Sequence, residues 1–288
     1  KNGFEILALP RSDLKDALKA INKNKPHLFP AVPAISNAIN YCNFLDKYDL
    51  SSLQFCISGG APLPVEVKKN FESITGCVVV EGYGLSESSP VACVNPMAGS
   101  NVAGSIGMPV PGTIVEIIDP DDQKTIMPTG KRGELCIRGP QVMKGYWNNP
   151  EATAKTIING RLHTGDIAVM DEKGYIYIVD RIKDMIITNG YNVYPRNIEE
   201  AIYLHPSVEE CIVAGLPHKQ RGEIVKVWIK LKDDRSLTTE DLKEFLKDKI
   251  SAMEIPKLIE FRDEELPKTM IGKLSRKDIV EQELKKTD

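Results

Sequence analysis

Along the first eighty residues the apolar positions switch between two periods. Residues 4–9, Phe4-Glu5-Ile6-Leu7-Ala8-Leu9, read as a strand, which would open the chain inside an α/β fold. Leu14, Ala17, Leu18 and Ile21 then recur at helical spacing, with Ser12 as a candidate cap. Residues 53–58 form a short apolar run that predicts a buried strand. The turn Gly59-Gly60-Ala61-Pro62 follows, and Pro64 is well placed to start a helix. Leu63, Val67, Phe71 and Ile74 fall on one face of that helix, Gly76 stops it, and Cys77-Val78-Val79-Val80 reads as the next strand. Strand, helix and strand in this order predict a βαβ unit and a parallel sheet.

From about residue 102 the pattern changes. Residues 105–118, 133–139 and 167–179 look like short strands punctuated by Gly, Pro and Asp, and Asp171-Glu172-Lys173-Gly174 reads as a hairpin turn. A small antiparallel barrel or sheet attached to the α/β part is expected. A third texture begins after Asp180. Residues 195–205 predict a helix and residues 208–214 and 223–232 predict strands. Thr238 with Asp241 is a capping-box-like start for a helix carrying Leu242, Phe245, Leu246 and Ile250. The expected fold class is therefore α/β, a βαβ sheet plus a small barrel in residues 1–179. A boundary at residues 180–184 leads to a small α+β domain in residues 185–288, large enough to fold alone.

Composition narrows the functions rather than naming one. An apolar fraction of 42% is ordinary for a globular protein, and a net charge of -3 gives no global attraction to nucleic acid or to an anionic membrane. No apolar run approaches the roughly 20 residues that span a bilayer. The six cysteines are at least fourteen positions apart, so there is no CxxC pair, and several lie inside apolar runs. They read as reduced, buried thiols of a cytoplasmic protein.

Five segments carry candidate chemistry. Glu81-Gly82-Tyr83-Gly84-Leu85-Ser86-Glu87 follows a predicted strand, where ligands of open α/β sheets sit. Its glycines allow close backbone approach, Tyr83 offers a flat face, Ser86 a hydroxyl for phosphate and Glu87 a carboxylate for Mg²⁺. Ser58-Gly59-Gly60-Ala61-Pro62-Leu63 stands at another strand end, and either segment could be no more than a turn. Leu162-His163-Thr164-Gly165-Asp166 places a carboxylate where it could bridge ribose hydroxyls or simply meet solvent. Asp180-Arg181-Ile182-Lys183-Asp184 lies at the boundary and could equally be a solvated linker. In Pro267-Lys268-Thr269-Met270-Ile271-Gly272-Lys273, Lys273 could reach a phosphate or a carboxylate, or face water.

The order and spacing of these five segments resemble the adenylate-forming superfamily of acyl-CoA synthetases, aryl-CoA ligases, firefly-type luciferases and peptide-synthetase adenylation domains. Gly133-Glu134-Leu135-Cys136-Ile137-Arg138-Gly139 and Gly145-Tyr146-Trp147 extend the match, which covers essentially the whole chain. Arg138-Gly139-Pro140-Gln141-Val142-Met143-Lys144-Gly145-Tyr146-Trp147 and Asn189-Gly190-Tyr191-Asn192-Val193-Tyr194-Pro195 are most similar to the bacterial long-chain fatty-acid–CoA ligases. The resemblance implies that ATP, CoA and a fatty acid or related carboxylic acid are the substrates and Mg²⁺ the cofactor. It implies an adenine and nucleotide site at Gly60, Ala61, Pro62, Glu81, Gly82, Tyr83 and Gly84. Ser86, standing where the family usually has Thr, would contact the α-phosphate, and Glu87 would hold Mg²⁺. Asp166 and Arg181 would take the ribose, Lys183 would be the hinge of a mobile carboxyl-terminal domain, and Gly190 and Tyr191 would face CoA. Lys273 would bridge the acyl carboxylate and the α-phosphate. A peripheral membrane contact and a homodimer are compatible with this reading.

The family's Ser/Thr/Gly-rich phosphate loop ending in Pro-Lys-Gly is not found in this sequence, nor is most of the aromatic region that shapes an acyl tunnel. Amino-terminal truncation is the expectation that follows, and with it a chain inactive on its own. Medium-chain and aryl-CoA ligases, or a non-catalytic binding fragment, are the alternative readings.

Overall fold

The computed structural model describes residues 3–9, 13–269 and 274–286. Two compact units are distinguished, residues 1–164 with 169–178, and residues 165–168 with 179–288.

The first unit opens with helix α1 (Leu14–Asn24), strand β1 (Leu28–Ala31), helix α2 (Pro33–Asn40), strand β2 (Phe55–Ser58), helix α3 (Val65–Thr75) and strand β3 (Val78–Gly84). β1, β2 and β3 pair in parallel, so α2 and α3 are the crossovers that the strand–helix–strand pattern requires. Strands β4 (Val91–Val94) and β5 (Met108–Pro109) extend this sheet antiparallel, in the order β1-β2-β3-β4-β5. Leu18 and Ile21 of α1, Ile39 of α2 and Phe71 of α3 close over Cys56 and Val79 to make the core.

Three local expectations are corrected here. Residues 4–9 are not a strand. Phe4 and Ile6 are 84% and 87% exposed, and an extended segment with no sheet partner among the described residues has no ladder to join. Asp13, rather than Ser12, caps α1 by accepting the Asp16 amide; Ser12 lies outside the described residues. The buried face of α3 is turned from the expected one. Ile74 is 42% exposed, while Lys68 and Thr75 are buried. Lys68 lays its stem on the protein and gives its ammonium to Asn101 Oδ1 at 2.7 Å, so it occupies a core position that a polar letter conceals.

The second sheet comprises β6 (Ile114–Ile118), β7 (Gly133–Arg138), β8 (Ile157–Ile158), β9 (Arg161–Met170) and β10 (Ile176–Arg181), with helix α4 (Pro150–Thr156) before β8. Its order is β10-β9-β7-β6, with β8 on β9, so of the barrel or small sheet expected from short strands punctuated by Gly and Pro, the structure has a five-stranded sheet. Asp171 and Gly174 close the β9–β10 hairpin as the sequence predicts, through a Gly174 amide to Asp171 carbonyl bond of 3.0 Å.

The second unit holds β11 (Ile186–Thr188), β12 (Tyr191–Val193), α5 (Pro195–Tyr203), β13 (Val208–His218), β14 (Gly222–Leu231), α6 (Thr239–Leu246), β15 (Leu258–Arg262) and α7 (Arg276–Leu284). β13 and β14 form a long antiparallel hairpin, and β15 pairs with β14 in parallel. Side chains alternate along β13. Cys211 and Val213 join Ile198 and Ile202 of α5 and Leu242 and Leu246 of α6. Ile212 and Ala214 join Trp228 and Ile279 of α7 on the other face. The sheet thus carries a helix layer on each side, with its carboxyl-terminal helix α7 opposite α5.

Candidate functional site

The parallel register pairs Ser58 with Glu81, so the chains that follow β2 and β3 leave the sheet side by side at the carboxyl ends of the strands. The two segments are in contact. A Cβ on Gly59 would stand 3.3 Å from the Gly82 carbonyl oxygen. The buried Glu81 carboxylate accepts the Leu63 amide at 3.3 Å, which tethers the 59–63 turn carrying Gly60, Ala61 and Pro62. Sequence reasoning takes Glu81–Gly84 as a loop. In the structure these residues complete β3, because Gly82, Tyr83 and Gly84 pair with β4. Gly84 permits this, since a Cβ there would lie 1.7 Å from the Pro90 carbonyl oxygen. That same carbonyl accepts the Leu85 amide and the Ser88 hydroxyl, which folds residues 85–90 into a tight turn.

This turn presents Ser86 exposed and Glu87 half-buried. Glu87 is held at both ends: its backbone carbonyl accepts the Met143 amide at 2.8 Å, and its Oε1 accepts the Tyr146 phenol at 2.7 Å. The phenol's pKa is raised, first because its proton is bonded to this carboxylate and then by burial. A hard carboxylate oxygen at a partly exposed turn, next to a hydroxyl and to glycine-lined backbone, fits Mg²⁺ carried in with phosphate oxygens.

In the second unit, Asp166 on β9 is buried and accepts the Arg181 Nε of β10 at 3.1 Å, so the structure brings together the two residues expected at a ribose. Lys183 is exposed, in a single 3-10 turn (Ile182–Asp184) between β10 and β11. Gly190 turns the β11–β12 hairpin at φ +79°, following Asn189 at φ 51°, and Tyr191 beside it is 60% exposed. Lys273 lies outside the described residues. Ser275 caps α7 by accepting the Asp278 amide. Arg276 then meets a carboxylate cluster. Its Nη2 is 2.5 Å from Glu199, its Nη1 3.1 Å from Asp184 and 3.9 Å from Asp180. Asp180 also accepts the Arg181 and Arg196 amides. One guanidinium thus joins α7 to α5 and to both ends of residues 180–184.

Three carboxylates share that cation, and for Glu199 and Asp180 burial outweighs the attraction. Glu199 is pushed up to about 7, with Arg276 opposing, and Asp180 is raised by burial as well.

The cysteines are all free, and burial pushes Cys56 and Cys93 up to about 12, so neither is a thiolate near neutral pH. One cluster escapes sequence spacing altogether. Glu134 and Cys136 on β7 and His163 on β9 place their polar atoms within 4.8 Å of one another, all buried. Glu134 Oε2 is 2.6 Å from His163 Nδ1. Burial and then the Glu134 charge raise the Cys136 thiol, which disfavours the thiolate a soft metal would take, and the trio ties β7 to β9.

Geometry of this kind, two glycine-lined segments meeting at the ends of parallel strands, defines a class. The model of the AMP-binding enzyme family matches residues 1–147, and that of the AMP-binding enzyme C-terminal domain matches residues 197–273. The chain belongs to the AMP-binding enzyme family. More particularly, it is similar to the long-chain-fatty-acid–CoA ligase of Bacillus subtilis (strain 168), 48% identical over 283 residues, 98% of this chain and 50% of that protein. The long-chain-fatty-acid–CoA ligase of Escherichia coli O6:H1 is 42% identical over 286 residues, 99% of this chain and 50% of its own. ATP-bound MatB from Rhodopseudomonas palustris superposes with a TM-score of 0.87 at 30% identity, over 96% of this chain and 54% of that one. The chain spans about half the length of the curated relatives it matches.

The Arg276 cluster generates a pH dependence. A carboxylate whose pKa is raised on folding gives stability that is present below its ordinary value of 4.5 and lost as pH rises through about 7. Urea denaturation should therefore show the protein losing about 2–3 kcal/mol between pH about 4.5 and 8 relative to Glu199→Gln, at 1.36 kcal/mol per pKa unit. Parallel pH profiles for the two proteins would show that Glu199 ionises as easily folded as unfolded.

Proposed function

We propose that this chain supplies the adenylate-holding and acyl-transfer parts of an AMP-forming long-chain fatty-acid–CoA ligase. The reaction joins ATP, a fatty acid and CoA to give acyl-CoA, AMP and pyrophosphate. The observation that carries the reading is the pair of tethered loops at the ends of β2 and β3, which end in the Ser86 hydroxyl and the braced Glu87 carboxylate. The preference for a long-chain acid rests on the likeness to the Bacillus subtilis ligase. We place the enzyme in the cytoplasm. Among the described residues, no helix is long and apolar enough to cross a membrane.

In this reading the adenine lies along Gly60, Ala61 and Pro62 with its face on Tyr83, and Gly82 and Gly84 let the backbone come close. Asp166 accepts hydrogen bonds from the ribose hydroxyls, held in place by Arg181. In the first half-reaction a carboxylate oxygen of the acid attacks the α-phosphorus, the bond to pyrophosphate breaks, and the acyl-adenylate forms. Ser86 donates to an α-phosphate oxygen. Mg²⁺, when bound at Glu87, neutralises phosphate charge. Lys273 draws the two anionic reactants together, so orientation and charge neutralisation supply the rate. In the second half-reaction the CoA sulfur attacks the acyl carbonyl and AMP leaves. No protein nucleophile is needed, in keeping with buried cysteines held as thiols.

One small domain serves both steps by turning about Lys183. Lys273 and the Gly190-Tyr191 turn lie at different ends of the carboxyl-terminal sequence, and each is needed in a different half-reaction. Exposure of Lys183 on a single helical turn suits a position that absorbs backbone rotation.

Two measurements test these proposals. The 288-residue chain alone should catalyse no ATP–pyrophosphate exchange, because the phosphate loop that grips the outgoing phosphates is absent from its sequence. Robust exchange would assign that grip to residues on this chain and overturn the division of labour. The second uses the chain grafted in place of the matching half of the Bacillus subtilis ligase, with each half-reaction assayed separately. Lys273→Ala should abolish adenylation and spare thioester formation from supplied acyl-adenylate. Gly190→Asn, a residue that tolerates positive φ, should slow thioester formation alone. Equal damage to both steps by both variants would contradict the alternation.

A further inference from the structure

Glu87 belongs to a three-residue 3-10 turn (Ser86–Ser88), and its side chain has three rotatable bonds, so nothing in its own turn fixes the direction of its carboxylate. The fixing comes from a segment 59 positions away, through the Tyr146 phenol. That segment is built to hold the phenol still. Tyr146 donates its amide to Thr153 Oγ1 at 2.9 Å, and Thr153 passes its own hydroxyl proton to the Asn149 carbonyl at 2.8 Å, inside the first turn of α4. Asn149 caps α4 by accepting the Ala152 amide at 3.0 Å. Gly145 lets the chain pass this close. Its φ is +152°, and a Cβ on it would stand 2.8 Å from Thr153. The short helix α4 therefore grips Tyr146 by its backbone amide.

We propose that Tyr146 is a positioning residue for metal binding: its phenol holds Oε1 of Glu87 so that Oε2 is aimed, already ordered, at the Mg²⁺ of the nucleotide. The inference rests on the reading of Glu87 as the metal-holding carboxylate. A hydrogen bond to a ligating carboxylate restricts its rotamers before the metal arrives and leaves it one oxygen for coordination. A phenol, with an ordinary pKa of about 10, is a donor that stays protonated at neutral pH. Its loss should act on metal-dependent nucleotide binding and leave the metal-free contacts of adenine and ribose alone.

The test is calorimetric, on the full chain. ATP is titrated in EDTA and again with Mn²⁺, against the unaltered protein, Tyr146→Phe, Glu87→Gln and the double variant. Mn²⁺ should tighten ATP binding to the unaltered chain. Tyr146→Phe should weaken the Mn²⁺·ATP complex about tenfold, the lower end for a lost outer partner of a metal ligand. Its affinity for metal-free ATP and its melting temperature should not change. Glu87→Gln should lose the Mn²⁺ effect, and adding Tyr146→Phe to it should cost nothing more. If Mn²⁺ has no effect on the unaltered chain, or if Glu87→Gln keeps that effect, the metal role of Glu87 is wrong and the brace falls with it. If Glu87→Gln loses the effect and Tyr146→Phe does not, the carboxylate needs no brace. An equal loss with and without Mn²⁺ in Tyr146→Phe would make the residue structural only.

Discussion

The candidate site depends on one pairing, the parallel ladder between β2 and β3 that sets Ser58 opposite Glu81. A parallel ladder brings successive strands out at the same end of the sheet, so the segments after each of them meet without further design. The buried Glu81 carboxylate then turns a meeting into a tether by taking the Leu63 amide. A slip of one residue would move Glu81 to the other face of the sheet and leave that amide without it. The glycines are a consequence. Gly59 lies against the Gly82 carbonyl, and Gly84 lies against Pro90, because backbones that meet this closely leave no space for side chains.

The second unit solves a different problem with a similar economy. Its sheet is covered on both faces, so α7 and α5 lie on opposite sides of β13. Arg276, at the first position of α7, reaches the Val213 carbonyl at 3.1 Å and Glu199 of α5, and the same guanidinium takes Asp184. The segment proposed as a hinge and the start of α7 are thereby fastened together within the unit.

Much of this architecture is legible in the sequence because burial leaves a period. Ala17, Leu18 and Ile21, or Leu242 and Leu246, are helical spacings that a core demands, and the Asp171 to Gly174 turn announces its hairpin. Legibility fails where the deciding partner is remote. Residues 4–9 have strand composition and, among the described residues, no strand to join. Glu81–Gly84 reads as a loop by its glycines, and becomes strand because β4 pairs with it. Lys68 is a core residue in the guise of a charge. The candidate residues themselves stand out through their resemblance to a family more than through spacing, since a lone glycine-rich turn has many fates. The brace on Glu87 was out of reach of both: Tyr146 stands 59 positions away, and only the fold brings the two together.

The central claim, that the loops after β2 and β3 hold an adenylate, is tested most directly by a stable mimic. A long-chain acyl sulfamoyl adenosine can be titrated into isotopically labelled chain and followed by amide NMR. The account predicts saturable shifts concentrated at Gly59, Gly60 and Ala61, at residues 82–87 and around Asp166, with Glu134, Cys136 and the α6 amides unmoved. Shifts confined to other surfaces, or none up to the solubility limit of the mimic, would contradict it.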